Sequence, residues 1–312
     1  MRNQSKVTEF ILQGFSDSAE LQIVYFVVFL IIYIIAVAGN LLIITIIKSD
    51  PQLHTPMYFF VGNLSILDTF YISTTVPKML VNCLSTRKTI SFSACVAQLS
   101  FFLSMAATES ALLATMAYDR YVAICNPLRY SIIVNKKSCI FLAAASWFIG
   151  IVYSVIHTSN TFRLNFCGSN VINHYFCDIP PLLKLSCSDT NINVILVFLV
   201  GGLLMLGCFV LILTSYVNII KAILKISSAK GRSKTFSTCI SHLTTVALFY
   251  ITGSCVYFRP ASTHSLDQEK IGALFYSVIA PMLNPYIYSL RNKDLKGAII
   301  KVMRKKLIFQ RH

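Results

Sequence analysis

Residues 23–47 read IVYFVVFLIIYIIAVAGNLLIITII, twenty-five positions without a charged side chain. A helix needs about 20 mostly apolar residues to cross the hydrocarbon of a bilayer, and a surface helix of a water-soluble domain would keep a polar face. Working outward, six more runs of that kind follow, at 57–80, 92–116, 139–156, 194–220, 236–258 and 271–290. Long unbroken runs fit helices, which satisfy their own backbone hydrogen bonds in lipid, better than the short alternating strands of a barrel. With 55% hydrophobic and 12% charged residues in 312, the chain reads as an all-α, seven-transmembrane helix bundle.

The segment before the first run holds Arg2, Lys6, Glu9, Asp17 and Glu20 and lacks the short basic start and small-residue cleavage site of a signal peptide, so the first run is expected to be a retained helix. An odd number of spans puts the termini on opposite sides. Lys and Arg decide which is cytosolic. Lys48, the group Arg120, Arg129, Lys136 and Lys137, the group from Lys221 to Lys234 and the tail from Arg291 to Arg311 place 18 of the 27 on one side. That side is read as cytosolic, with the N-terminus extracellular. The net charge of +15 is therefore topology and a basic face toward lipid headgroups, with no nucleic-acid partner implied.

Two features agree with this orientation. Asn3-Gln4-Ser5 is an N-glycosylation acceptor that would lie outside. Four of ten cysteines, Cys95, Cys167, Cys177 and Cys187, fall on the outer side, an even set that allows three pairings. The expected organisation is an extracellular segment 1–22, a bundle 23–290 with a long outer loop 157–193, and a cytosolic tail 291–312. That loop carries His174-Tyr175-Phe176-Cys177-Asp178 and reads either as a lid on the bundle mouth or as a protective cover.

Asp68 and Glu109 fall in the middle of the second and third spans at similar depth, where a bare carboxylate costs about 3 kcal/mol on insertion scales. Two carboxylates at one depth are expected to share a proton or to bind a cation such as sodium, with Asn40 and Asn284 as further oxygen donors. The alternative is a neutral pair that only fixes helix packing. No other metal or cofactor is implied. Pro281 and Pro285 flank Asn284 and give the seventh span a place to deform near Tyr288.

Taken together, several motifs resemble the odorant (olfactory) receptors among the rhodopsin-like G-protein-coupled receptors. They are Gly39-Asn40, Pro56-Met57-Tyr58-Phe59-Phe60, the run from Met116 through Asp119-Arg120-Tyr121 to Cys125, Ser215-Tyr216, the run from Lys234 to Leu243, and the run from Pro281 to Tyr288. The resemblance implies that Asp119, Arg120 and Tyr121 with Tyr216 and Tyr288 form an inner switch for a G protein. It implies an ion site at Asp68, Glu109 and Asn284, and disulfides Cys95 to Cys177 and Cys167 to Cys187. Partners would be a small volatile odorant, a heterotrimeric stimulatory G protein that raises cyclic AMP, and membrane lipid, at the plasma membrane. Phe249-Tyr250-Ile251-Thr252 departs from the family, which more often has glycine after the tyrosine.

A receptor of this kind takes its ligand in the outer half of the bundle. Spacing inward from Cys95 nominates Phe102, Leu103, Ala106 and Ala107. Tyr250 and Tyr257, seven apart, share a face of the sixth span, and Val200, Leu204, Gly253 and Ser277 complete the expected wall. No acidic or basic residue is among them, so a neutral, largely apolar ligand is expected. A receptor for a non-odorant metabolite and an ion or proton transporter are the rival readings. An enzyme is disfavoured, because neither His-Glu-x-x-His nor Gly-x-Ser-x-Gly occurs and His242 stands alone near a helix end.

Overall fold

The computed structural model describes residues 7–16, 18–257, 266–291 and 295–301. Asn3 and Phe258 lie outside the described residues. Seven long helices carry the seven apolar runs. They are α1 (Ala19–Ser49), α2 (Pro56–Leu84), α3 (Phe92–Cys125), α4 (Lys136–Phe162), α5 (Asn191–Leu224), α6 (Ala229–Tyr257) and α7 (266–291). Most overrun their runs by a turn or more, because the headgroup layers beyond the roughly 30 Å hydrocarbon core tolerate polar helical turns. Starts are set locally: Ser91 and Asn135 accept the backbone N–H of Ala94 and Ser138, and Pro56 opens α2 where its missing N–H costs nothing.

The third helix runs through the middle of the bundle. Twenty of its 34 side chains are buried against five of 31 in α1, and it packs on α2, α4 and α5, while α1 packs on α2 and α7. The outward sides carry Phe70, Phe141 and Leu203, each more than half exposed. A continuous apolar exterior of this kind is suited to lipid. Among the described residues, α1, α3, α4, α5 and part of α7 are apolar and long enough on their own to cross a membrane. The second and sixth helices are more polar, and their hydroxyls are absorbed along the helix itself, as in Thr69 to the Ser65 carbonyl (2.8 Å) and Thr244 to the Ile240 carbonyl (2.8 Å).

At the outer end the N-terminal segment is built into structure. Strand β1 (Glu9–Leu12) pairs antiparallel with β2 (Thr89–Ser91) and parallel with β3 (Val171–Ile172), in the order β2-β1-β3. Phe10 is fully buried beneath this sheet against Phe92 and Phe166. The fourth helix continues to Phe162 because His157, Thr158 and Thr161 are buried, with Thr161 donating to the His157 carbonyl (2.8 Å). The outer loop is therefore shorter than 157–193. Both disulfides implied by the resemblance are present: Cys95–Cys177 ties the loop to the start of α3, and Cys167–Cys187 closes the loop on itself.

Candidate ligand cavity and inner switch

The segment His174 to Asp178 fills the mouth of the bundle, with all five residues buried. Its backbone is held by Gln98 of α3, whose Oε1 accepts the Cys177 N–H (2.9 Å) while its Nε2 donates to the Thr74 carbonyl (2.9 Å). Ser277 donates to the Ala273 carbonyl (2.7 Å), so its oxygen accepts the Tyr175 hydroxyl (2.9 Å). Tyr276 donates to Asp178 (3.3 Å). A segment bonded to α3 and α7 and tied by a disulfide is a lid. Burial, then the nearby Lys270 ammonium, pushes the His174 imidazole down to about 3.

Beneath the lid lies a cavity of about 100 Å³. For scale, an apolar cavity of about 150 Å³ holds benzene. Of the sequence-predicted wall, the structure brings Phe102, Leu103, Ala106, Ala107, Leu204 and Gly253 to it. Three others stand elsewhere. Val200 belongs to a π turn (Val197–Gly201) whose extra residue rotates the helix, so that Val197, Phe198, Gly201 and Gly202 face the cavity instead. Ser277 sits in a second π turn (Phe275–Ile279) that presents Tyr276 to the cavity and turns Ser277 to the lid. Tyr250 is one layer deeper, its hydroxyl 3.0 Å from that of Ser110 and 3.5 Å from the Met205 carbonyl. The side chain of Tyr257 lies outside the described residues. Sequence spacing also missed Tyr71, Tyr153 and Ile179, because α2, α4 and the lid were not counted as walls, and Tyr276, because the π turn of α7 shifts the face.

Below the cavity the two mid-span carboxylates meet. Asp68 and Glu109 are both fully buried, and Asn284 donates to both oxygens of Asp68 (3.1 and 3.0 Å). Asn40 ties α1 to α7 by donating to the Pro281 carbonyl (3.1 Å). Both Glu109 oxygens, Asn284 Oδ1 and Asn40 Oδ1 are buried without a hydrogen-bond partner. Four acceptor oxygens with no donor, two of them on a carboxylate, are the chemistry a hard cation or a shared proton satisfies.

At the inner end Asp119 is taken by Tyr130, which donates to it (2.8 Å) from the following loop. Burial, and then the Asp119 charge, push the Tyr130 phenol well above its usual range. Arg120 is nearly buried and, among the described residues, makes no ion pair. Tyr121 is half-buried against the core. Tyr216 does not meet Tyr288. Its hydroxyl is 2.8 Å from His242 Nδ1, and the two rings stack. The other ring nitrogen of His242 is 3.0 Å from the Leu113 carbonyl, which can only accept, so Nε2 carries the proton and Nδ1 accepts from Tyr216. His242, solitary in the sequence, thus joins α3, α5 and α6. Tyr288 is buried beside Thr245, its hydroxyl without hydrogen-bond geometry to any described group.

Known proteins resemble the chain over nearly its whole length. The family model for olfactory receptors matches residues 29–306. Olfactory receptor 5AR1 of Mus musculus is 53% identical over 304 residues, covering 97% of this chain and 98% of the relative. Its namesake in Homo sapiens is 51% identical over 304 residues, with the same coverage, and olfactory receptor 5I1 of Homo sapiens is 51% identical over 306 residues, 98% of each chain. With the bundle, its lid, its paired cysteines and these relatives in agreement, the chain belongs to the olfactory receptor family, multi-pass receptors of the plasma membrane that couple to G proteins and are not enzymes.

Proposed function

We propose that the protein binds a small neutral volatile in the cavity beneath the lid and activates a stimulatory, olfactory-type G protein, raising cyclic AMP. The observation that carries the ligand class is the cavity wall, where, among the described residues, aliphatic, aromatic and glycine surfaces surround three tyrosines and no charged side chain. An ammonium or carboxylate placed there would lose its hydration without gaining a partner. Leu204, Met205, Phe249 and Gly253 put α5 and α6 in direct contact with the occupant, so filling the cavity bears on the two helices that Tyr216 and His242 join further in. Displacement of α6 breaks that junction and leaves Arg120, next to it and in no ion pair among the described residues, to receive the G protein.

The residues between cavity and switch fit a sodium ion. Asp68, Glu109, Asn284 and Asn40 would hold it, and when bound it supplies a positive charge opposite two buried carboxylates. A proton shared between Asp68 and Glu109 is the competing occupant of the same site. A panel of neutral volatiles applied to cells carrying a cyclic-AMP reporter tests the function. Responses to neutral members and none to amines or carboxylates are expected, and a response led by charged ligands would overturn the assignment.

A further inference from the structure

Among the described residues the cavity has three hydroxyl groups in its wall, and they are not equivalent. Tyr276 spends its proton on Asp178 of the lid, and Tyr71 is packed on Phe102 and otherwise engaged. Tyr153 of α4 lines the cavity, and its hydroxyl has no hydrogen-bond partner among the described residues. The ring is backed by His157, with centroids 4.3 Å apart, so the phenol is held in place. Its oxygen comes against the bare face of Gly201 in the π turn of α5, where a Cβ would stand 2.9 Å away. The absent side chain makes the room in which this hydroxyl reaches the edge of the cavity.

We propose that Tyr153 is the polar anchor of the ligand site and that it selects a carbonyl compound, a ketone, aldehyde or ester, over a hydrocarbon or alcohol of the same shape. This inference rests on the reading of the cavity as the ligand site. A phenol at neutral pH keeps its proton and has one to donate. A carbonyl oxygen accepts it and brings no donor of its own. An alcohol that accepts the same bond leaves its own O–H facing aliphatic and aromatic walls, and a hydrocarbon leaves the Tyr153 proton without an acceptor.

Cyclohexanone, cyclohexanol and methylenecyclohexane, alike in shape and of benzene-like size, are the probes, measured by direct binding to purified wild-type, Tyr153→Phe, Gly201→Ala and Ala106→Trp receptors. Wild type should favour the ketone by roughly five- to tenfold, the range of one net hydrogen bond. Tyr153→Phe should erase that preference, with cyclohexanone losing affinity and methylenecyclohexane, no longer set against an unanswered proton, binding as well or better. Gly201→Ala, which displaces the hydroxyl, should reduce it in the same direction. Ala106→Trp should abolish binding of all three. Ketone preference that survives Tyr153→Phe, with Ala106→Trp inactive, overturns the anchor and leaves the cavity reading intact. Binding that survives Ala106→Trp, or a wild type that binds none of the probes, overturns the cavity reading and this inference with it.

Discussion

Replacing Gly150 by alanine probes the closest approach between two helices in the bundle. Gly150 of α4 faces α3 where a Cβ would stand 2.5 Å from the Ser104 carbonyl oxygen and nearer still to Thr108 Oγ1. The Thr108 hydroxyl could be removed, but the carbonyl is backbone in the middle of the central helix and already accepts from Thr108 (2.7 Å). The helices must separate. Overpacking of this kind costs about 1–3 kcal/mol, with a fixed backbone neighbour toward the upper end, and alanine returns about 1 kcal/mol of helix propensity. The net loss is about 1–2 kcal/mol, or roughly 2–8 °C in Tm at about 2–4 °C per kcal/mol. Gly207 on the exposed side of α5 is the matched control, since nothing lies within 4 Å of its missing Cβ. Thermal unfolding of the detergent-solubilised receptor should show Gly150→Ala lowered, Gly207→Ala unchanged or raised, and Gly150→Ala/Thr108→Ala still lowered. Equal stability of the two single variants would refute the close packing of α4 on α3.

Three further outcomes follow from the same geometry. Tyr250→Phe removes a hydroxyl that bridges α6 to Ser110 and lies below the cavity, so it should lower potency for all agonists alike by about fivefold, the worth of one net hydrogen bond, with surface expression intact; a loss confined to one ligand would place Tyr250 at the ligand after all. His174 is buried neutral, with its imidazole pushed from 6.5 down to about 3, so the unfolded lid binds a proton that the folded lid refuses. Stability should be full above pH 6.5 and fall by about 1.4 kcal/mol per unit as pH drops below it, and His174→Phe should flatten that slope in a pH series of melts; an unchanged slope would show that acid loss arises elsewhere. Asp68→Asn leaves a neutral partner for Asn284 and removes half the charge facing the site, so sodium-dependent changes in agonist potency should disappear; sodium dependence that persists would put the ion elsewhere, and a wild type with no sodium dependence would favour the shared proton.

The chain announces its helices because lipid rewards uninterrupted apolar runs, and 23–47 or 194–220 admit no other reading. It announces less where polar chemistry is local. The second and sixth helices are less apolar, because they carry more hydroxyl and other polar side chains, and their runs at 57–80 and 236–258 stood out less sharply as spans. In the cavity, spacing along α3 found Phe102, Leu103, Ala106 and Ala107, because a regular helix propagates its face. The same arithmetic misplaced Val200 and Ser277, because each sits in a π turn that no residue pattern in the chain marks. Tyr153 and His242 were missed for another reason. Both act through partners far away in sequence, Gly201 for one and Leu113 and Tyr216 for the other, and a lone aromatic or histidine gives no spacing to read.

In the proposed mechanism a neutral volatile in the outer cavity drives G-protein activation through the inner end of α3. Nucleotide exchange on a purified stimulatory G protein, measured with the reconstituted receptor and an activating neutral volatile, tests it most directly when paired with direct binding of the same volatile. Wild type should bind the volatile and accelerate exchange, whereas Arg120→Ala should bind with similar affinity and leave exchange at the receptor-free rate. Acceleration by Arg120→Ala equal to wild type would contradict the account, as would a wild-type receptor that binds the volatile without accelerating exchange.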